Sequence, residues 1–380
     1  MSRPVFLYGP LAHPPLRAAF GAMPDDARAA WLSGHGLRCA ASGDEGAPPL
    51  LVAAPGEAVE GLLLPDPEPD LAARIGAYGT ALGLEPCEVV VESGAQAGRA
   101  ALSWRARGRA EGAWDVEEWA RRDGAMAALV AEEILSLDPV PGPDDTARQM
   151  PMMRSRAAAR LRAASTPAPA RLRHDPLPGQ WRLEPAAALS GGFFRLAQMR
   201  MSHHRFDGGE NADLRREVLV GIDAALVLAY DPARDRVLLV EQFRAGPARR
   251  GSRNPWILEP VAGIVDAGET PIEAGRREGR EEAGLVLSRL EPIFSGYPSP
   301  GSSTDFFHCF LAVAELPQQG PWAGGLEAEH EDLRLHVVAL DLALEMIGAG
   351  EIDALPLIAM LYWLHANRAR LRAEAEIPVA

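Results

Sequence analysis

Residues 263–285, GIVDAGETPIEAGRREGREEAGL, decide how the second half of this chain is read. Thr270 followed three residues later by Glu273 is a capping-box pattern, and Pro271 takes the first helical position, where its missing N–H costs nothing. Gly284 is a natural stop. The spacing predicts one helix on which Glu278, Glu281 and Glu282 stand at i, i+3 and i+4, so that three carboxylates share a face. Like charges at this spacing repel unless a cation lies between them. Arg276, Arg277 and Arg280 are near in sequence, but a hard divalent cation is the better counter-charge for converging oxygens. The plainer reading is a solvated helix laced with Glu–Arg pairs, which is what most such runs are. Gly275 and Gly279 lie on one side of the helix and each costs about 1 kcal/mol against Ala. Close packing of that side on a sheet is the expected compensation.

Composition limits what surrounds this helix. At 380 residues the chain can hold two domains of ordinary size. Its 47% hydrophobic and 24% charged content is that of a soluble globular protein, which sets aside disordered and fibrous classes. No run of 18 apolar residues offers a membrane span, and the proline-broken N-terminus lacks a signal-peptide core. Cys39, Cys87 and Cys309 are odd in number and far apart, which argues against a disulfide framework or a zinc site and fits a reduced, cytoplasmic setting. A formal net charge of −14 argues against nucleic-acid binding. Every basic residue is Arg, so no Schiff-base or P-loop lysine is available.

Three regions follow. Residues 1–138 contain strand candidates at Val5–Gly9, Leu50–Ala53, Val59–Leu64, Cys87–Glu92 and Ala100–Trp104, then helical periodicity over Trp114–Leu137. That order suggests an α+β or small-barrel domain. Residues 139–180 read as a Pro- and Arg-rich linker with a helix over Asp144–Ala164, solvated and resting on acidic neighbours. From residue 181 to about 375, strands are expected at Phe193–Phe206, Glu217–Tyr230, Arg236–Phe243, Trp256–Ala262, Val286–Phe294, Phe306–Ala314 and Asp332–Leu340. Helices over Asp341–Ile347 and Asp353–Arg372 close the chain, and His203, His204, His308 and His336 have no metal-ligand spacing and read as structural or surface residues.

The acidic stretch also carries a longer pattern: Gly263, five residues, Glu269, seven residues, Arg277-Glu278, two residues, Glu281-Glu282, one residue, Gly284-Leu285. This resembles the Nudix box, with Gly279 where that family prefers an aliphatic residue. Arg215-Arg216-Glu217, Val240 to Arg244, Glu259 to Gly263, Ser299-Pro300-Gly301 and Ala328 to Asp332 extend the likeness toward the ADP-ribose pyrophosphatase branch. The resemblance implies an α+β two-domain chain whose C-terminal part is a Nudix α/β/α sandwich with a mixed sheet. It implies Mg²⁺, with Mn²⁺ as the alternative, held by Glu278, Glu281, Glu282 and the Ala262 carbonyl, with Glu269 and Arg277 orienting the acids. Glu329 is the implied general base and Glu331 its alternate. Arg216, Arg244, Gly301, Ser302 and Asp305 are implied substrate contacts. The implied reaction splits ADP-ribose, or a related nucleoside-diphosphate sugar, to AMP and a sugar phosphate in a homodimer. A sensor that binds without cleaving is the competing reading.

The opening Tyr8-Gly9-Pro10-Leu11 is similar to the loop of gamma-glutamylcyclotransferase-like (AIG2-like) domains, which implies a small β-barrel with helices. Gly79, after Tyr78, stands where that family carries its catalytic glutamate. The fold without the activity is therefore expected, and a bifunctional enzyme is the alternative. The two-domain layout also resembles tellurite-resistance-associated Nudix proteins.

Overall fold

In the computed structural model, residues 3–41, 47–93, 96–184, 188–287, 289–318, 320–325 and 332–375 are described. By contact the chain separates into two units, Met1–Glu217 and Val218–Ala380.

The first unit is built on β1 (Val5–Tyr8), which is buried on both faces. Alternation divides it: Phe6 and Tyr8 face a cluster with Leu32, Leu63 and Val91, while Val5 and Leu7 face helices. Helix α1 (Pro14–Phe20) leads to β2 (Arg28–Ala40) and β3 (Leu50–Leu64). After α2 (Pro69–Ala81) come β4 (Glu85–Ser93), β5 (Gln96–Arg105) and β6 (Ala110–Ala113). Strand order β3-β1-β5-β4-β2, closed by pairing of β2 with β3, makes a five-stranded barrel with β6 attached to β2. The long β2 had no strand signal in RAAWLSGHGLRCA. It is bent by a bulge between Ser33 and His35, where Gly34 has φ +71, so its alternation is broken.

The periodic stretch at 114–137 forms two helices, α3 (Val116–Arg122) and α4 (Gly124–Leu135), interrupted at Asp123. Within the expected linker, α5 (Pro143–Ser165) buries Met153 and Ala157 in the barrel's helical core. Its arginines do rest on acids: Arg156 and Arg160 pair with Glu133 and Glu132 of α4. A small sheet follows, of β7 (Trp181–Leu183), β8 (Ala188–Ser190), β9 (Arg195–His204) and β10 (Glu210–Val220). Contact thus groups residues 181–217 with the first unit.

The second unit is a helix–sheet–helix sandwich. Its strands are β11 (Asp223–Asp231), β12 (Arg236–Phe243), β13 (Trp256–Glu259) and β14 (Val261–Ile264), with the short α6 (Ala245–Arg250) between β12 and β13. The acidic helix α7 (Pro271–Glu281) precedes β15 (Arg289–Gly296), β16 (Phe306–Val313), β17 (Trp322–Gly324) and β18 (Leu333–Ala339). Helices α8 (Leu340–Ala349) and α9 (Leu355–Ala375) end it. Sheet order is β15-β16-β11-β12-β18-β17, with β13 on β12 and β14 on β11. Only the β11–β16 pairing among these is parallel, so the sheet is mixed. Period-2 alternation in β11 assigns the layers: Ala225, Val227 and Ala229 pack with Ala274 of α7, whereas Leu226, Leu228 and Tyr230 pack with Leu357 and Leu361 of α9.

Two expected strands are each split. The stretch 217–230 breaks at Gly221, where a Cβ would lie 1.7 Å from Asp305 Oδ1. The stretch 256–262 breaks at Pro260, which has no N–H for a ladder, so β13 and β14 pair with different neighbours.

Candidate active site

Helix α7 is capped as its sequence demands. The Glu273 N–H donates to Thr270 Oγ1 at 3.4 Å, and the Thr270 N–H donates to Glu273 Oε2 at 2.8 Å. The Thr270 hydroxyl, donating to Glu273 Oε2 at 2.6 Å, and then the Thr270 N–H hold the Glu273 carboxyl below the usual carboxylate range. The two helical glycines pack closely. A Cβ on Gly275 would meet Val227 Cγ2 at 3.0 Å on the sheet, and one on Gly279 would lie 2.3 Å from Leu287 Cδ1. Gly275 thus packs as expected, while Gly279 makes room for the chain that leaves the helix.

Arg277 organises the acids. Its Nε and Nη2 donate to the two oxygens of Glu269 at 3.1 and 3.0 Å, a bidentate pair. Nη2 also reaches the Ile264 carbonyl at 2.9 Å, and Nη1 donates to Glu278 at 2.5 Å and Glu281 at 3.1 Å. The Glu269 bonds, opposed by burial and aided by the charge of Glu278, raise the guanidinium further above its ordinary pKa. Among the described residues, no three acidic, imidazole or thiol side chains converge as a metal-holding group. The guanidinium is the counter-charge shared by Glu278 and Glu281.

The preceding strand shapes the other side. A Cβ on Gly263 would fall 1.9 Å from Glu278 Oε1, so glycine there leaves the space this carboxylate fills. Glu282 is 2% exposed, and its Oε2 accepts the Ala262 N–H at 3.1 Å. Gly325 donates its N–H to the Glu282 carbonyl at 3.3 Å, fixing the helix end beside β17. Glu278, Glu281, Glu282 and the Ala262 carbonyl are all oxygen donors, the type that suits a hard divalent cation, although the three carboxylates do not converge on one point among the described residues.

The remaining expected residues are dispersed. Arg244 Nε donates to Glu259 Oε2 at 2.6 Å, with its side chain 42% exposed. Gly301 and Ser302 lie in the loop before β16, where the Ser302 carbonyl accepts the Leu219 N–H and its hydroxyl lies 2.7 Å from that of Ser299. Asp305 accepts the Ile222 N–H at 3.2 Å and the Ser303 hydroxyl at 2.5 Å, bonds that brace this loop. Arg216 belongs to the first unit, exposed on β10. Glu329 and Glu331 lie outside the described residues. A cleft of about 520 Å³, lined by Glu241, Asn254, Trp256, Trp322 and Arg334 among others, contains none of the three helix acids. Sequence reasoning missed the Glu241–His336 bond of 2.8 Å because the partners lie on different strands 95 residues apart.

An acidic, glycine-seated helix laid across a mixed sheet marks the candidate site, and comparison with known proteins points to a hydrolase. The NUDIX domain model matches residues 222–358. The ADP-ribose pyrophosphatase of Haemophilus influenzae is 38% identical over 186 residues, 48% of this chain and 85% of that protein. The ADP-ribose pyrophosphatase of Escherichia coli K12 is 37% identical over 187 residues, 49% of this chain and 88% of that protein. A GDP-mannose pyrophosphatase of Escherichia coli is 31% identical over 179 residues, 47% of this chain and 92% of that protein. The chain belongs to the Nudix family.

Proposed function

We propose that the second unit hydrolyses the pyrophosphate bond of ADP-ribose to AMP and ribose 5-phosphate, with other nucleoside-diphosphate sugars as rival substrates. The observation that carries this reading is the seating of Glu278 on Gly263 and of Glu282 on the Ala262 N–H. Both would be costly ways to build an ordinary solvated helix face, because they bury charge. The names of the relatives support nucleotide-sugar hydrolysis as the class.

Glu278, Glu281, Glu282 and the Ala262 carbonyl are the residues that would hold Mg²⁺, or Mn²⁺. A bound cation would neutralise the pyrophosphate and lower the pKa of a water. Arg277, anchored bidentately on Glu269, keeps the acids oriented. Arg244 turns its fork from Glu259 to a phosphate. Gly301 and Ser302 line the substrate side, and Asp305 braces their loop. Glu329, with Glu331 as alternate, is the proposed base on sequence grounds, as is Arg216 for a substrate contact.

The Nudix domain is proposed to begin near Trp181, since the stretch shared with the relatives is longer than Val218–Ala380. The units proposed before it are 1–138 and 139–180. A homodimer is proposed on the same resemblance, and a cytoplasmic setting on the number and spacing of the cysteines. No helix among the described residues is long and apolar enough to cross a membrane. For the barrel we propose the gamma-glutamylcyclotransferase-like fold without that chemistry. A Cβ on Gly79 would lie 2.8 Å from the Trp104 ring, and Gly9 is hemmed in by Pro49, Leu37 and Trp114. The test is the full chain with Mg²⁺ and a panel of nucleoside-diphosphate sugars, with products read by mass. AMP and ribose 5-phosphate from ADP-ribose are expected; no cleavage of any member would return the chain to the sensor reading.

A further inference from the structure

The sheet face that carries α7 holds a second polar arrangement, outside the acidic helix. His308 on β16 bonds Asp223 of β11 through Nε2, at 3.0 Å from Oδ2. Its other nitrogen, Nδ1, lies 3.3 Å from the hydroxyl of Ser295 on the edge strand β15. The Asp223 and His308 side chains are only 7% and 17% exposed, whereas Ser295 is exposed. Exposed Tyr297 packs edge-on against Phe306 at 4.8 Å, and Phe306 against the His308 ring at 5.2 Å. These side chains flank the loop that carries Gly301 and Ser302.

Register links this group to the acidic site. Ser295 pairs with His308, His308 with Ala225, and Ala225 with Gly263, on which Glu278 is seated. Three inter-strand steps separate the two by about 14 Å at the backbone.

Hydrogen-bond chemistry then fixes what Ser295 can offer. A carboxylate only accepts, so His308 Nε2 carries the proton facing Asp223. In the neutral ring Nδ1 is then an acceptor, and Ser295 must donate to it. The serine oxygen is left with lone pairs alone toward solvent. Phosphate oxygens cannot donate to it; a sugar hydroxyl can.

We propose that Asp223 and His308 are positioning residues that hold Ser295 as a hydrogen-bond acceptor for the sugar hydroxyls of a nucleoside-diphosphate sugar, beside the Tyr297–Phe306 aromatic pair. This rests on the hydrolase reading above and adds the part of the substrate that the Ser295 end of the site selects. Asp223→Asn reverses the relay: the amide donates to Nε2, the ring proton moves to Nδ1, and Ser295 turns its own proton outward as a donor.

The experiment uses the full chain with Mg²⁺, ADP-ribose, ADP-glucose and GDP-mannose, and the variants Ser295→Ala and Asp223→Asn. ¹⁵N spectra of the histidine rings report the tautomer without reference to activity. The wild type is expected to show His308 protonated at Nε2, and Asp223→Asn at Nδ1. Both variants are expected to raise KM roughly 3- to 10-fold with kcat within twofold, the range for one neutral hydrogen bond. The rise should follow the sugar when the base is held constant. Wild-type failure to cleave the whole panel overturns the hydrolase reading itself. Cleavage with KM within twofold of wild type in Ser295→Ala, which being exposed should fold, overturns the proposal alone. So does a fall in kcat at constant KM, a rise that follows the base, or a His308 tautomer unchanged by Asp223→Asn.

Discussion

Gly263→Ala tests the acidic site directly. The new Cβ would lie 1.9, 2.0 and 2.4 Å from Oε1, Cδ and Cγ of Glu278, all within one side chain. The collision is therefore relieved by moving Glu278 alone. Regaining a separation of about 3.5 Å shifts its oxygen by roughly 1.5 Å. Displacements near 1 Å at a reacting centre cost about 100-fold, which is about 2.7 kcal/mol in barrier. We expect kcat for ADP-ribose to fall at least about 100-fold. Stability should fall by no more than about 3 kcal/mol. The Arg277–Glu278 contact, with side chains 30% and 13% exposed, is worth roughly 1.5–3 kcal/mol as a charged hydrogen bond, while removing a glycine from the unfolded ensemble returns roughly 0.4–1 kcal/mol. Arg277 also keeps Glu269 and the Ile264 carbonyl. Phosphate release from AMP by a coupled phosphatase measures the rate, and urea unfolding measures stability. Activity within threefold of wild type would refute the assignment of Glu278 and its seat as the catalytic centre.

Further outcomes test the rest. Glu282→Gln should lower turnover about 10²- to 10³-fold in a chain that still folds; unaltered hydrolysis would mean the helix is not the metal site. Glu133→Gln should destabilise the first unit by roughly 3–5 kcal/mol in chemical denaturation, because it strands the guanidiniums of Arg156 and Arg195, 3% and 1% exposed. Gly79→Glu should destabilise by about 1–3 kcal/mol through collision with buried Trp104. It should release no 5-oxoproline from a gamma-glutamyl substrate, and product formed would revive the bifunctional reading.

Local chemistry was legible where it is written in neighbouring residues. The Thr270–Glu273 box and the i, i+3, i+4 acids are set by their spacing, while the Arg277–Glu269 pair is what the family resemblance implies over the same stretch; the structure carries both the cap and the pair. Strand β2 was hidden because Gly34 and a bulge interrupt its alternation. The breaks at Gly221 and Pro260 were hidden for a related reason: apolar residues run through both, and only the pairing partners reveal that one strand ends there.

By itself, then, the sequence determined the acidic helix and its cap, since these depend on spacing along one chain. Only the tertiary structure decided what the glycines are for. Gly263 yields its place to a carboxylate on another element, Gly279 to Leu287 and Gly221 to Asp305. It alone joined Asp223, Ser295 and His308, which come from three strands and meet through a parallel pairing of β11 with β16. A side chain's neighbours across a sheet are set by register and crossover, and neither is encoded at the distance over which sequence spacing can be read.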